Sequence, residues 1–340
     1  MNLAARRSAH RAVSTSLSRL SDRALLEALE TAEPLGAGIG GQTVLLRVDG
    51  TPVFVKHLPL TELDRRPENV RSTANLFDLP MACHYGGRGG PGFGAWREVA
   101  VQAMTTDWVL AGEHEGFPLM YHWRVLPHSA PLPEELADIE AAVAYWGGAP
   151  QVRRRLEELE RSSASIALFL EYLPQNVFQW LREQIAAGGA AADEACALLD
   201  RELESGISFM NSRGVLHFDT HFQNLLTDGE RVYFADYGLA ISSRFELAKE
   251  ELEFFERHQA YDRRYTAMSA SQWLIAEVFG SGRAEREERL RAYVHGEPVV
   301  GMPPAAAAFV QRHAPAALAM TEFFRALMEE SSHAPYPPEG

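Results

Sequence analysis

Cysteine is nearly absent from this sequence: Cys83 and Cys196 are the only two in 340 residues. Two thiols make no disulfide framework, so the fold rests on a packed core, and the reducing cytoplasm is the expected setting. Both are read as small buried hydrophobes. Nor is there an apolar run approaching the ~20 residues of a membrane-spanning helix, so no membrane partner is expected. The start, Met1-Asn2-Leu3-Ala4-Ala5-Arg6-Arg7, is basic and alanine-rich but lacks the apolar core of a secretion signal. Residues 1–21 are accordingly expected to be a frayed leader. Positive charge is in deficit, 32 basic residues against 46 acidic for a net charge of −14. That balance argues against a nucleic-acid partner, which needs basic surface facing the phosphates. It suits a cationic substrate if the acids line the site, and solubility explains it equally well. No internal repeat is evident.

What is present is ordinary globular composition, 46% hydrophobic and 23% charged, over a length that suits two lobes. Residues 22–32 form an amphipathic pattern with Ser21 as a plausible N-cap, ended by Pro34. Two β-like runs follow, Thr43–Val48 and Val53–Lys56, around the hairpin signal Asp49-Gly50. The Gly/Pro-rich tract Gly86–Gly94 reads as a loop. Ala95–Leu110 carries one helical apolar stripe through Trp96, Val99, Ala103, Met104 and Trp108. Pro118–Leu126 reads as a strand. Pro131–Arg161 is a helical insertion broken around Gly147–Pro150, and Ser165–Pro174 is an apolar strand ending in a bend. Boundaries are therefore set at 22–172 for an N-terminal lobe and 173–340 for a helical C-terminal lobe. Two short β-like pieces are expected near 225 and 232.

The chemistry concentrates in Val215-Leu216-His217-Phe218-Asp219-Thr220-His221-Phe222-Gln223-Asn224, with the spacing H-x-D-x-x-x-x-N, followed by Asp236-Tyr237-Gly238 at the end of an apolar run. Two acids and an amide presented this way suit phosphate transfer from a metal–nucleotide complex. Asp219 is the candidate base that accepts the substrate hydroxyl proton. Asn224 and Asp236 are the candidate Mg²⁺ ligands, hard oxygen donors for a hard cation. His217 is read as a residue that holds the loop. His221 lies two residues after Asp219, within reach of a transferring phosphate or a substrate hydroxyl, although a loop hydrogen bond accounts for it as well.

Upstream, Gly36, Gly38 and Gly41 form G-x-G-x-x-G, where the missing Cβ lets backbone N–H groups approach phosphates. A dinucleotide fingerprint needs a strand before the glycines and a helix after them. Here a helix precedes and a hairpin follows, which favours a flap over ATP. Lys56 ends the next strand, at the distance behind the glycines of a phosphate-contacting lysine. Its carboxylate partner is assigned to Glu98, with Glu62 and Glu68 as rivals nearer in sequence.

These residues carry a resemblance. From Gly36 to Gly238 the chain resembles the protein-kinase-like superfamily, and within it the aminoglycoside phosphotransferase-like small-molecule kinases. The resemblance implies a bilobal α/β fold, with a β-rich N-terminal lobe and a helical C-terminal lobe. It also implies that Leu168–Pro174 is a hinge whose backbone near Glu171 and Leu173 binds adenine. Phe218 stands where protein kinases have arginine, and no A-P-E follows Gly238. Both departures favour a small-molecule hydroxyl acceptor, while Asp236-Tyr237-Gly238 is closer to the D-F-G of protein kinases. The expected activity is ATP- and Mg²⁺-dependent phosphotransfer to a hydroxyl of a small molecule, such as an aminoglycoside-like cation. The alternatives are a protein Ser/Thr kinase without activation-loop regulation, and a non-catalytic nucleotide-binding pseudokinase.

Overall fold

The structure, a computed structural model, describes residues 2–38, 41–86, 90–129, 132, 136, 138–329 and 334–338. It is a mixed α/β chain with a five-stranded antiparallel sheet and a helical part. The chain divides into two compact units, Met1–Tyr172 with Asp236–Glu256, and Leu173–Ala235 with Arg257–Gly340.

The sheet of the first unit grows from local hairpins. Asp49 and Gly50 both take left-handed backbone, with φ of 49° and 81°. A tight turn with two positive φ values matches the natural twist of the flanking strands. It joins β2 (Gly41–Val48) to β3 (Thr51–Leu60), which pair from Thr43↔Lys56 to Val48↔Thr51. Ahead of them β1 (Glu33–Gly38) pairs with β2, and Gly38 faces Gly41. The sheet is completed by β4 (Met120–Leu126) and β5 (Ala164–Glu171) in the order β1-β2-β3-β5-β4, every pair antiparallel. Every residue of β5 is buried, as a central strand covered on both faces requires.

One face of the sheet is covered by α3 (Ala95–Ala111), whose Ala95, Trp96 and Val99 pack with Leu58, Leu60, Ile166, Leu168 and Leu170. Strand alternation puts Lys56 on this same face. Residues 3–19, expected to be a frayed leader, are instead the helix α1 (Leu3–Arg19), capped by Asn2, with Val13 and Leu17 fully buried. Ser14 Oγ donates to the Tyr121 carbonyl at 2.6 Å and Arg7 Nη2 to that of Leu110 at 2.5 Å, which fastens the helix to the sheet and to α3. α2 (Asp22–Glu30) is capped by Ser21 and buries Leu25.

Two helices occupy the insertion, α4 (Ile139–Tyr145) and α5 (Pro150–Glu160). Val143, Trp146, Val152 and Leu156 pack with Phe77, Leu79 and Phe93 in a second core, and Arg155 reaches Asp64 at 2.9 Å. The segment Asp236–Glu256 clusters with the first unit, whereas the sequence pattern runs the second lobe unbroken from 173 to 340. Arg97 holds Glu251 at 2.5 Å and Ser72 Oγ donates to Glu246 at 2.7 Å. Such pairings between distant residues leave no local signature.

The second unit is mainly helical: α6 (Val177–Ala187), α7 (Gly189–Ser212), α9 (Tyr261–Phe279), α10 (Arg283–Val294) and α11 (Pro304–Glu329), with α8 (Lys249–Arg257) leading into it. A three-stranded ribbon joins Gln175–Asn176, Leu225–Thr227 and Val232–Phe234. The turn of its hairpin is closed by Asp228, which accepts from the Glu230 and Arg231 N–H groups and from Tyr233 Oη. Among the described residues no helix is long and apolar enough to cross a membrane.

Candidate functional site

In the first unit, strand alternation and the position of α3 bring Lys56 and Glu98 together, 42 residues apart. Lys56 Nζ lies 2.7 Å from Glu98 Oε1 and 2.8 Å from Asp236 Oδ1. Glu98 is thus the residue at the ammonium, rather than Glu62 or Glu68. The Lys56 and Glu98 side chains are each 7% exposed and that of Asp236 is 40% exposed, so the triad opens on the Asp236 side. Burial alone would lower the Lys56 pKa, but the Asp236 and Glu98 charges outweigh it and hold the ammonium charged well above the ordinary lysine value. Burial pushes Glu98 up to about 7, with Asp236 adding to the effect and Lys56 opposing it. Of the 32 basic residues only Lys56 and Lys249 are lysines. That scarcity is a sequence signal for Lys56, because an arginine fork would not fill the same role as a compact ammonium.

Asp236 has φ of +63°, a left-handed conformation that costs a non-glycine residue on the order of 1–3 kcal/mol. The next ring, Tyr237, is 1% exposed and shares a hydrogen bond with Thr105 on the helix that carries Glu98; burial raises its phenol above the ordinary value. The glycines differ from expectation. Gly36 and Gly38 lie within β1 and Gly41 opens β2, so a strand rather than a helix leads into them. They form a β-hairpin whose tip, Ile39-Gly40, lies outside the described residues. Gly36, with φ of +147°, sits at a register shift in β1, backbone that suits glycine.

In the second unit the loop 217–224 is anchored mainly by α9. Asp262, in the first turn of α9, accepts from His217 N at 2.7 Å and from Phe218 N at 2.8 Å. Burial pushes its carboxyl up to about 6, against the pull of those two N–H groups. Phe218 is fully buried at φ +66° and stacks on Tyr261, ring centres 4.2 Å apart. Thr220 and Thr266 share a 2.5 Å hydroxyl contact. His217 Nδ1 accepts from Asp219 N at 3.3 Å, which leaves Nε2 to donate to the Ala235 carbonyl at 3.0 Å. His217 therefore holds the loop and carries no free proton acceptor.

That framework presents Asp219, 29% exposed. Asn224 Nδ2 donates to its Oδ2 at 2.8 Å and to its carbonyl at 3.1 Å, leaving the Asn224 oxygen as the atom able to meet a cation. His221 Nε2 stands 3.5 Å from Asp219 Oδ1. Tyr265, one helical turn after Tyr261, is raised by burial, by the Asp219 charge and by a hydrogen bond with Asp219. Asp262 and Tyr265 were not singled out from the sequence.

Glu171 ends β5 and its side chain is taken up by Arg6, at 2.7 Å. Leu173 opens the second unit. Among the described residues no cluster of three or more His, Cys, Asp or Glu side chains suits a metal ion. No protein-family model and no curated protein matches the chain.

Proposed function

We propose that this chain has a protein-kinase-like fold and transfers the γ-phosphate of ATP to a hydroxyl group of a small molecule. The observation that carries the proposal is the ammonium of Lys56 held between two carboxylates, Glu98 at 2.7 Å and Asp236 at 2.8 Å. A charge clamped in that way is a fixed counter-charge for phosphate oxygens, needing no reorganisation when charge develops on them. Asp236 turns one oxygen to Lys56 and, 40% exposed, remains open to solvent. Bound Mg²⁺ would supply neutralisation of phosphate charge, with Asp236 and Asn224 as its protein ligands.

Asp219, a partly exposed carboxylate with His221 beside it, orients the acceptor hydroxyl and takes its proton. The glycine hairpin Gly36–Gly41 covers the phosphates, and backbone groups near Glu171 and Leu173 receive the adenine. Phe218 supports a small-molecule acceptor. Fully buried against Tyr261, it leaves no cationic side chain at that position to read a phosphorylated regulatory segment. Two catalytic carboxylates, an amide and a clamped lysine exceed what a binding module requires, which disfavours a pseudokinase.

Titration with ATP, with and without Mg²⁺, tests the nucleotide half of this proposal. Wild-type protein should bind MgATP, and Asp236→Ala should lose the Mg²⁺-dependent part of the affinity. Binding that is indifferent to both the cation and Asp236 would contradict it.

A further inference from the structure

Glu171 ends β5 with its side chain on the face opposite Leu168 and Leu170, as strand alternation dictates. On that face it meets Arg6 of α1, whose guanidinium is wholly buried. Arg6 Nε donates to Glu171 Oε1 at 2.9 Å and Nη2 to Oε2 at 2.7 Å. Nη1 also donates to the Glu115 carbonyl at 2.8 Å, and Nη2 to that of Phe117 at 2.5 Å. Leu119 N–H donates to Glu171 Oε2 at 3.1 Å, and Glu171 N–H returns a bond to the Leu119 carbonyl at 2.8 Å. The end of β5 is thus fixed through both side chain and main chain by a planar fork of set geometry.

Stability alone does not call for such an arrangement. A buried ion pair gains little over apolar residues of the same volume, and what it supplies is a defined position. The position matters because of its register. Lys56 pairs with Leu168 across β3 and β5. Glu171 lies further along β5, about 10 Å away at the rise of a strand. On the ATP reading the phosphates meet Lys56 and the base lies further along β5, towards Glu171.

We infer that Arg6 is a positioning residue for the nucleotide base, holding the backbone at Glu171 where the base docks. The inference rests on the ATP reading above. It gives the N-terminal helix a role in nucleotide recognition, exerted through Glu171 and not by contact with the ligand.

The test compares affinity for MgATP with affinity for magnesium tripolyphosphate, which has the phosphates and no base. Both are measured on wild type, on Arg6→Lys, and on the double variant Arg6→Met/Glu171→Gln. The double variant removes both buried charges together, so folding is not lost to an unpaired carboxylate. Arg6→Lys and the double variant should each weaken MgATP on the order of tenfold or more while leaving tripolyphosphate within about twofold. MgATP affinity unchanged in both variants would overturn the inference. So would parallel losses for the two ligands, which is what general loosening of the fold produces. A wild-type protein that binds tripolyphosphate and ATP equally weakly would overturn the ATP reading itself, and this inference with it.

Discussion

The ammonium of Lys56 lies 2.8 Å from the carboxylate of Asp236, a residue 180 positions later in the chain, and 2.7 Å from Glu98 on its other side. Two acids sharing one buried cation make an arrangement in which each partner depends on the others. Removing the cation alone leaves Glu98, 6% exposed, without its counter-charge.

Lys56→Met should therefore cost roughly 3–5 kcal/mol of stability, the usual cost of breaking a buried pair from one side. Lys56→Met/Glu98→Gln should recover a large part of that loss and still bind MgATP poorly. Urea unfolding and nucleotide titration on both variants check this. A double variant no more stable than the single would contradict the coupling.

Asp219 and Asp236 should separate by function. Asp219→Ala should slow transfer by roughly 10²–10⁴-fold, the usual contribution of a positioned general base, with MgATP affinity nearly unchanged. Asp236→Ala should lose both. Equal effects of the two substitutions on nucleotide binding would remove the distinction drawn between them.

Asp262 holds the loop through the backbone N–H groups of His217 and Phe218, at 2.7 and 2.8 Å. Asp262→Ala leaves two buried donors without an acceptor and lets the loop shift. Transfer should fall by about 10²-fold, as for a misplacement of about 1 Å, while nucleotide affinity holds. Asp262→Asn keeps one acceptor oxygen and should fall between the two. Wild-type rates in Asp262→Ala would show that the loop keeps its shape without this anchor.

Gly206 on α7 faces Phe234 so closely that an added Cβ would lie 2.1 Å from a ring carbon. Gly206→Ala should destabilise by about 1–3 kcal/mol through overpacking, and Phe234→Leu in the same chain should restore part of it. Thermal unfolding of the single and double variants measures both effects. A neutral Gly206→Ala would mean that the ring moves away at no cost.

His57 on β3 supplies a pH signature. Burial, with His128 nearby, holds its imidazole down to about 4 from an ordinary value of 6.5. The unfolded chain therefore binds a proton between those values that the folded chain refuses. Stability from this group is intact above pH 6.5 and is lost as pH falls towards 4, by at most about 3 kcal/mol. His57→Gln should remove that component, so its stability relative to wild type should improve steadily as pH drops. Parallel curves for the two proteins would exclude the effect.

Local features were legible in the sequence. Asp49-Gly50 specified a hairpin, the stripe through Trp96 and Val99 specified α3, and the spacing from His217 to Asn224 marked a polar loop. Lys56, Glu98 and Asp236 were chosen by motif order and prove to be in contact. The features that escaped depend on partners far along the chain. Arg6 read as part of a basic leader because nothing local announces Glu171, 165 residues away. Asp262 drew no notice because its partners are loop amides 44 and 45 residues earlier. The placement of Asp236–Glu256 with the first unit follows from Arg97–Glu251 and Ser72–Glu246, pairs that no periodicity encodes.

The central claim is that γ-phosphate passes from ATP to a small-molecule hydroxyl under control of Asp219. The most direct measurement follows γ-labelled ATP with Mg²⁺ and whole-cell extract, separating small molecules from macromolecules, with Asp219→Ala as control. Label should accumulate in the small-molecule fraction with wild type and not with the variant. Label confined to protein Ser or Thr, or label in either fraction that is indifferent to Asp219, would contradict the account.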